Sequence, residues 1–197
     1  MRRIGLFGGS FDPVHNAHVA LAQLALDRLR LDELRWVPAG QPWQKSRELA
    51  PAADRVAMLA LAMQGEPRFM LERSEVERGG PSYTLDTVRE LQAAQPGAQW
   101  FLIVGQDQCA GLHTWHGFEE LLERVTLAVA NRPGTPVVPN PQLGAVAPQA
   151  IPLPMMDVSS TEIRRRIAAG QGIDDLVPAA VARYIDQHRL YRGNARS

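Results

Sequence analysis

Cysteine, lysine and long apolar runs are all scarce in this chain of 197 residues. The single cysteine, Cys109, excludes an internal disulfide framework and favours a reducing compartment. No apolar run approaches the roughly 20 residues that span a bilayer, and the N-terminus has no apolar stretch long enough for a signal peptide. We therefore expect a cytoplasmic protein that is not inserted in a membrane.

Charge is balanced rather than one-sided. The 21 basic and 21 acidic residues give a formal net charge of zero, so no overall field favours a nucleic-acid or membrane partner. Among the basic residues only Lys45 is a lysine. The length fits one domain, which at this size buries roughly 70% of its unfolded surface, and it leaves open whether the chain forms a homo-oligomer.

Short apolar runs alternate with helical patterns, which is typical of a parallel sheet with crossover helices. Strands are predicted at residues 3–7, 33–37, 69–72, 100–104, 125–130 and 150–153. Helices are predicted near residues 16–28, 56–63, 85–91, 118–123, 162–169 and 179–188. Residues 131–148, rich in proline and glycine, are predicted to form a long surface loop. The sequence thus predicts an α/β fold, a doubly wound parallel sheet in a single domain over residues 1–197, helical in its C-terminal part from about residue 159.

The most informative segment follows the first predicted strand and reads Gly8-Gly9-Ser10-Phe11-Asp12-Pro13-Val14-His15-Asn16-Ala17-His18. Paired glycines allow the backbone to approach a ligand closely. If a helix begins near Asn16, both His15 and His18 lie at its N-terminus, where free N–H groups and the helix dipole attract anions. This segment is therefore a candidate phosphate-binding site.

The same two histidines could also bind a metal ion. The common helical zinc pattern, however, spaces its histidines at i and i+4, with a glutamate nearby and a third ligand elsewhere. No acidic residue stands between His15 and His18, and Cys109 is the only cysteine. We therefore expect that this pair holds no metal.

A second candidate anion site is the segment Ser159-Ser160-Thr161-Glu162-Ile163-Arg164-Arg165-Arg166. Ser159 with Glu162 fits a capping box, and the three arginines could simply face water. Hydroxyls, free N–H groups and Arg164 could instead converge on phosphate oxygens. The two interpretations are compatible, because a cap and an anion site use different donors of the same turn.

Five further segments follow predicted strands or precede predicted helices. Lys45 ends the loop after the second strand and is by default a solvated lysine. Pro81-Ser82-Tyr83-Thr84 and Thr114-Trp115-His116 could each be a helix cap with a packed aromatic residue. Gly105-Gln106-Asp107 and Asn131-Arg132-Pro133-Gly134 follow the next strands, and Asp107 could bind a ribose hydroxyl or lie on the surface.

The glycine-rich segment resembles the (H/T)-x-G-H signature region of the nucleotidyltransferase superfamily. It has the form G-G-(S/T)-F-D-P-x-H-x-G-H of bacterial nicotinate-nucleotide adenylyltransferases, with Ala17 in place of the last glycine. The Ser159–Arg164 turn resembles the I-S-S-T-x-I-R motif of that family, and Asn131–Gly134 resembles its R-R-P-G. In the basic loop, Trp43 and Gln44 depart from P-P-H-K, whereas Lys45 keeps the charge. The resemblance covers nearly the full chain and implies a Rossmann-like nucleotidyltransferase fold.

The resemblance also implies an activity and a set of site residues. The activity is adenylyl transfer from ATP to nicotinate mononucleotide, giving deamido-NAD and pyrophosphate in NAD biosynthesis, with Mg²⁺ bound mainly through ATP phosphates and water. The implied catalytic residues are His15, His18, Lys45 and Arg164. The implied ATP contacts are Gly8, Gly9, Ser10, Phe11, His15, His18, Gly105, Asp107, Ser159, Ser160, Thr161 and Arg164. The implied contacts with nicotinate mononucleotide are Tyr83, Thr84, Asp107, Trp115, His116 and Arg132.

Two other functions stay open at this point. The same chemistry could act on phosphopantetheine or on nicotinamide mononucleotide, although Trp115 and the P-S-Y-T segment disfavour phosphopantetheine. A non-catalytic nucleotide-binding sensor is the second alternative, and it would suit the departures at Ala17, Trp43 and Gln44.

Overall fold

Six parallel strands form one sheet in the computed structural model, which describes residues 1–40, 48–138 and 140–193. The strands are β1 (Arg3–Gly9), β2 (Glu33–Pro38), β3 (Phe69–Leu71), β4 (Gln99–Gly105), β5 (Thr126–Asn131) and β6 (Gln149–Pro152). Their order across the sheet is β3-β2-β1-β4-β5-β6. Every predicted strand is confirmed with its ends displaced by at most two residues, so the predicted doubly wound α/β fold is confirmed.

The described ranges also contain eight α-helices and two short 3₁₀ turns, and the last two helices follow β6. The helices are α1 (Asn16–Arg28), α2 (Ala52–Ala62), α3 (Ser74–Glu77), α4 (Thr84–Ala94), α5 (Gln106–Gly111), α6 (Phe118–Arg124), α7 (Ser160–Ala168) and α8 (Ala179–Gln187). The 3₁₀ turns are Leu112–Thr114 and Pro141–Leu143. The sequence pattern predicts neither α3 nor α5, because so few residues cannot show an apolar period. None of these helices has the length and apolar character that a membrane crossing requires.

Apolar side chains cover both faces of the sheet, as the nearly continuous apolar runs in β4 and β5 indicate. The first cluster contains Phe7 and Trp36 together with buried residues of α1, α2 and α8. The second cluster contains Ile4, Leu6 and Leu102 together with buried residues of α4, α5 and α6. Along β1, residues alternate between the two clusters, as the pleat of a strand requires.

Strand order reverses between β1 and β4, which lie side by side and pair from Arg3↔Gln99 to Phe7↔Ile103. From β1 the chain continues into α1 in the first cluster, whereas from β4 it continues into α5 in the second cluster. Where connections leave to opposite faces, a crevice opens outside the carboxyl ends of the two strands. This edge of the sheet is therefore the place to look for a ligand site.

The stretch 131–148 is only in part the surface loop that its composition predicts. Leu143 is buried in the second cluster. The Asn140 side chain donates to the carbonyl oxygens of Cys109 and Ala110, at 3.2 and 2.9 Å. The prediction of a loop confined to the surface is thus wrong at Leu143, because its side chain packs in the second cluster and the nearby Asn140 amide binds α5.

Gly117, just before α6, allows a test of this packing. Its φ is +63°, and a Cβ there would lie 2.3 Å from Leu85 Cδ2 on α4, whereas Gly97 has a φ of +83° and nothing within 4 Å of its Cβ position. We expect Gly117→Ala to lower the free energy of unfolding by about 2–4 kcal/mol and Gly97→Ala by about 1 kcal/mol, because only the first adds a steric overlap. Denaturant titration measures both values, and equal losses would contradict the expected overlap with Leu85.

Candidate active site

Helix α1 begins where the sequence predicts it, directly after the glycine-rich segment. His15 is the N-cap of α1, and its backbone N–H donates to Nδ1 of His18 across 3.1 Å. The two imidazole rings stack with centroids 3.6 Å apart and planes inclined by 20°. Both histidines thus lie at the N-terminal end of α1, and Ala17 is accommodated because its backbone is helical.

Hydrogen bonding and burial define what the two imidazoles can offer. Because Nδ1 of His18 accepts a hydrogen bond, neutral His18 carries its ring proton on Nε2. His15 is only 7% exposed, and among the described residues its Nδ1 has no hydrogen-bond partner. Burial lowers the pKa of His15 to about 4. Near pH 7, His15 is therefore neutral and offers a hydrogen-bond donor rather than a cation.

Aromatic side chains support the histidine pair. Phe11 meets His18 edge-on with centroids 5.1 Å apart, and Phe7 lies 5.4 Å from Phe11. Phe11 is buried with a φ of +46°, a backbone conformation that is rare for a bulky residue. A Cβ on Gly9 would come within 3.2 Å of the Phe11 ring. A side chain at position 9 would therefore press on the Phe11 ring, which would have to shift by a few tenths of an ångström.

The second candidate anion site lies against this loop. Ser160 Oγ donates to the carbonyl oxygen of Pro13 over 2.9 Å, and Arg164 Nη1 donates to the carbonyl oxygen of Asp12 over 2.8 Å. Arg164 Nη2 also donates to Thr161 Oγ1 over 3.2 Å. The structure therefore brings the C-terminal motif and the glycine-rich segment together, although they lie at opposite ends of the chain.

The first turn of α7 contains one half of the predicted capping box. Ser159 is the N-cap, and its Oγ accepts from the Glu162 N–H over 3.1 Å. The Glu162 carboxylate instead pairs with Arg165 and Arg166, at 2.7 and 3.1 Å. The hydrogen bonds from Arg165 and then Arg166 lower the pKa of Glu162 to about 2. The reciprocal half of the predicted box is wrong, because these two arginines engage the carboxylate.

A pocket opens beyond the carboxyl ends of β1 and β4. Its walls include residues from both candidate acceptor segments and from the end of β1, namely Gly8, Gly9, Ser10, Tyr83, Thr84, Trp115 and His116. The rings of Tyr83 and His116 lie 4.5 Å apart, inclined by 31°. The two aromatic segments, which are separate in sequence, thus form one wall.

Helix α4 begins at this wall, with Tyr83 as its N-cap. The N–H groups of Asp86 and Thr87 donate to the Tyr83 carbonyl oxygen, at 3.2 and 3.4 Å. The N–H groups of Thr84 and Leu85 precede the first helical hydrogen bond. The pocket is therefore bordered by the positive end of a helix dipole, which favours a carboxylate or phosphate.

Glu75 is a pocket residue that sequence reasoning misses. It is 7% exposed and accepts a hydrogen bond from Thr87 Oγ1 over 2.9 Å. Burial raises the pKa of this carboxyl, and the hydrogen bond from Thr87 opposes the rise. A Cβ on Gly40 would lie 2.1 Å from the Glu75 carbonyl oxygen, so the backbone after β2 packs directly on this residue. No sequence signal points to Glu75, because α3 is too short to show a pattern.

The remaining predicted residues lie around the edge of the sheet. Gly105 ends β4 and is the N-cap of α5. Asp107 is exposed in the first turn of α5, and Arg132 is exposed directly after β5; neither lines the pocket. Their contacts with nucleotides stay predictions. Three residues of the basic loop, Trp43, Gln44 and Lys45, lie outside the described residues.

Asp12 joins segments that are far apart in the chain. It is fully buried, and its Oδ1 accepts from the Tyr191 hydroxyl over 2.7 Å and from the Ala50 N–H over 3.2 Å. Its own carbonyl oxygen accepts from Arg164. Segments around residues 50, 164 and 191 therefore meet at this one residue.

Arg55 is a second buried polar residue of the same region. It is 2% exposed, and its Nη1 donates to the carbonyl oxygens of Ser10 and Ala39, at 2.9 and 2.8 Å, while Nε donates to that of Ala50 at 3.0 Å. A signal for it does exist in the sequence, because Arg55 lies one helical turn before Leu59 on the face of α2 that packs in the core. An arginine there indicates buried acceptors.

Comparisons with known proteins identify the family of this chain. A family model described as cytidylyltransferase-like matches residues 6–166. A protein of Methylibium petroleiphilum named "Probable nicotinate-nucleotide adenylyltransferase" is 54% identical over 96% of this chain and 92% of its own length. A protein of Bordetella avium with the same name is 46% identical, over 98% of this chain and 99% of its own length.

A solved structure gives the same result for the fold. Plasmodium falciparum nicotinic acid mononucleotide adenylyltransferase complexed with NaAD superposes with a TM-score of 0.77, over 97% of this chain and 98% of that one. With 19% identity this likeness concerns the fold alone. The nearly full-length identity with the bacterial relatives is what assigns the family. The chain belongs to the cytidylyltransferase-like family and, within it, to the nicotinate-nucleotide adenylyltransferases.

Proposed function

We propose that this enzyme transfers the adenylyl group of ATP to nicotinate mononucleotide at the carboxyl ends of β1 and β4, with the mononucleotide in the pocket there. The 5′-phosphate of the mononucleotide attacks the α-phosphorus of ATP, the bond to the bridging β-phosphate oxygen breaks, and pyrophosphate leaves in line. The products are deamido-NAD and pyrophosphate. No protein nucleophile is needed, so positioning and electrostatic stabilisation supply the rate enhancement.

The stacked pair His15 and His18 is the observation that carries this proposal. Both rings lie at the N-terminus of α1, where anions are favoured, and His18 directs its remaining ring proton away from its bond with His15. In the proposed mechanism, Nε2–H of His18 donates to an oxygen of the α-phosphate. This hydrogen bond strengthens as charge develops on that oxygen in the transition state.

The β- and γ-phosphates are proposed to lie at the N-terminus of α7. The N–H groups of Ser160 and Thr161 precede the first helical hydrogen bond, and Ser159 already satisfies the N–H of Glu162. Arg164 stands next to them with its guanidinium held by the Asp12 carbonyl oxygen. These groups stabilise the departing pyrophosphate, and Lys45 of the basic loop is proposed to add a second cation.

The mononucleotide is proposed to occupy the aromatic end of the pocket. The Trp115 indole stacks on the pyridine ring, with Tyr83 and His116 beside it. The ring carboxylate receives hydrogen bonds from free N–H groups at the start of α4, including that of Thr84. A nicotinamide has no negative charge to use these donors, so the arrangement favours nicotinate. Asp107 and Arg132 are proposed to contact the ribose and the 5′-phosphate.

Magnesium is proposed to arrive with ATP. The described residues contain no group of three His, Cys, Asp or Glu side chains that could hold a metal ion, and the carboxylate of Asp12 is engaged by Tyr191 and Ala50. Phosphate oxygens and water would therefore supply most of the ligands, as is common for Mg²⁺. When bound there, the ion neutralises charge on the phosphates.

Replacing His18 tests its proposed role. We expect His18→Ala to lower kcat by about 10²–10³-fold, because the α-phosphate loses a donor that acts in the transition state. His188→Ala is the matched control, since His188 is exposed and stacks on Tyr184 of α8 instead. Pyrophosphate release measures both rates, with circular dichroism as a check on folding. A wild-type rate in His18→Ala would remove the histidine from the mechanism.

Burial of His15 predicts a loss of stability in acid. Its pKa is about 4 in the fold and about 6.5 when unfolded, so between these values only the unfolded state binds the proton. This difference in proton binding has little effect on the free energy of unfolding above pH 6.5 and lowers it by about 3 kcal/mol near pH 4. We expect the difference in unfolding free energy between pH 7 and pH 4.5 to shrink by about 2–3 kcal/mol in His15→Asn. Denaturant titration of the ligand-free protein measures it, and an unchanged difference would contradict a neutral His15.

Replacing Trp115 tests the proposed acceptor site. We expect Trp115→Ala to raise KM for nicotinate mononucleotide about 10–100-fold, because a stacked aromatic face is lost, while KM for ATP stays within about twofold. Wild-type enzyme is compared on nicotinate and nicotinamide mononucleotides and on phosphopantetheine. Preference for another acceptor would overturn the proposed substrate. ATP binding without pyrophosphate release on any acceptor would support the sensor alternative instead.

A further inference from the structure

Tyr191 lies close to the C-terminal end of the described chain but contacts the first loop of the fold. Its hydroxyl donates to Oδ1 of Asp12 over 2.7 Å, across 179 positions of sequence. Asp12 is fully buried, and the Tyr191 ring packs against the first cluster. This hydrogen bond therefore lies in the interior, where a partner lost from a buried carboxylate is costly to replace.

Asp12 connects Tyr191 to the candidate active site through further hydrogen bonds. The same Oδ1 accepts from the N–H of Ala50, which follows the basic loop. The Asp12 carbonyl oxygen accepts from Nη1 of Arg164, and the next residue, Pro13, accepts from Ser160 Oγ. The turn that Tyr191 contacts thus orients the arginine at α7 and leads directly into the histidine pair.

The backbone near Tyr191 adopts an uncommon conformation after α8. Helix α8 ends after Gln187, and Arg189 and Tyr191 then adopt φ values of +54° and +60°, which are uncommon for residues other than glycine. Burial and the nearby Asp12 charge raise the pKa of Tyr191 above its ordinary value, so the phenol keeps its proton and remains a donor.

We propose that Tyr191 is a positioning residue for adenylyl transfer, which acts through Asp12 to hold the turn between β1 and α1 and the Arg164 guanidinium. This rests on the function proposed above. Tyr191 itself touches no reacting atom. Its contribution is to keep His18 and Arg164 aligned, so its loss lowers kcat more than it weakens binding of the mononucleotide, whose aromatic wall is formed by other elements.

The chain offers a matched control for this proposal. Tyr184 also donates its hydroxyl to a carboxylate, Asp54 Oδ1, over 2.8 Å, but this bond joins α8 to α2 and does not involve the loop after β1. Tyr191→Phe and Tyr184→Phe therefore remove the same chemical group and the same kind of hydrogen bond from neighbouring parts of the chain. Of these two hydrogen bonds, only that of Tyr191 reaches the glycine-rich segment.

We expect Tyr191→Phe to lower kcat about tenfold, with KM for nicotinate mononucleotide within about twofold of the wild-type value. Tyr184→Phe should keep the wild-type kcat, and both variants should lose a few degrees in Tm. Amide hydrogen exchange of the peptide covering residues 8–18 is expected to accelerate in Tyr191→Phe only. This second readout needs no turnover.

A wild-type kcat in Tyr191→Phe, an equal loss in both variants, or a Tyr191→Phe protein that does not fold would each overturn the proposal, because Tyr191 would then serve stability alone. Failure of the proposed function is recognised separately, in the wild-type protein. If wild type uses a different acceptor, the ratio of kcat values on that acceptor still tests Tyr191. If wild type releases no pyrophosphate at all, unchanged exchange of residues 8–18 in Tyr191→Phe overturns the role and accelerated exchange supports it.

Discussion

The pairing of β1 with β4 is the constraint on which the rest of this structure depends. These two strands are neighbours in the sheet although they are far apart in the chain, as the pairing of Arg3 with Gln99 shows. Because the chain leaves them toward opposite faces, a crevice opens beyond their carboxyl ends. The histidine pair follows one strand, and the aromatic pocket lies beyond both. Chemistry is possible there because topology leaves that edge open.

Two kinds of interaction hold the parts of the site in place. The sheet and its helices rest on apolar clusters on both faces, which position whole elements. At the open edge, buried polar groups also hold the loops. Arg55 holds the carbonyl oxygens of Ser10 and Ala39, and Asp12 holds Ala50 and Tyr191. A buried charge is expensive unless it is well paired, so these positions tolerate little change.

Much of the fold could be predicted because local sequence patterns indicate the strands and helices. Apolar runs located the strands, and the residues after β1 located the start of α1 at Asn16. Motif resemblance then gave the family. These signals are short-range in sequence, or are shared with relatives over the whole chain.

What could not be predicted depends on which side chains meet in the folded chain. Glu75 lies on a helix too short to show a period, and only the folded chain brings it beside Thr87. The capping box failed in its second half because Arg165 and Arg166 also reach Glu162. Leu143 lies in a stretch whose composition indicates a surface loop, yet its side chain is buried in the second cluster. In each case the side chains that a residue contacts in the folded chain, and not its local sequence pattern, determine its structural role.

The bond between Asp12 and Tyr191 also has a consequence for how the molecule matures. Because 179 positions separate Asp12 from Tyr191, ribosomes make the glycine-rich loop well before the tyrosine, so the loop cannot receive this support while the chain between them is being made. Contacts of such long range form late, since the entropy of closing the intervening chain must be overcome before they are made. The nascent chain can therefore assemble its sheet before it acquires a fully ordered phosphate-binding turn.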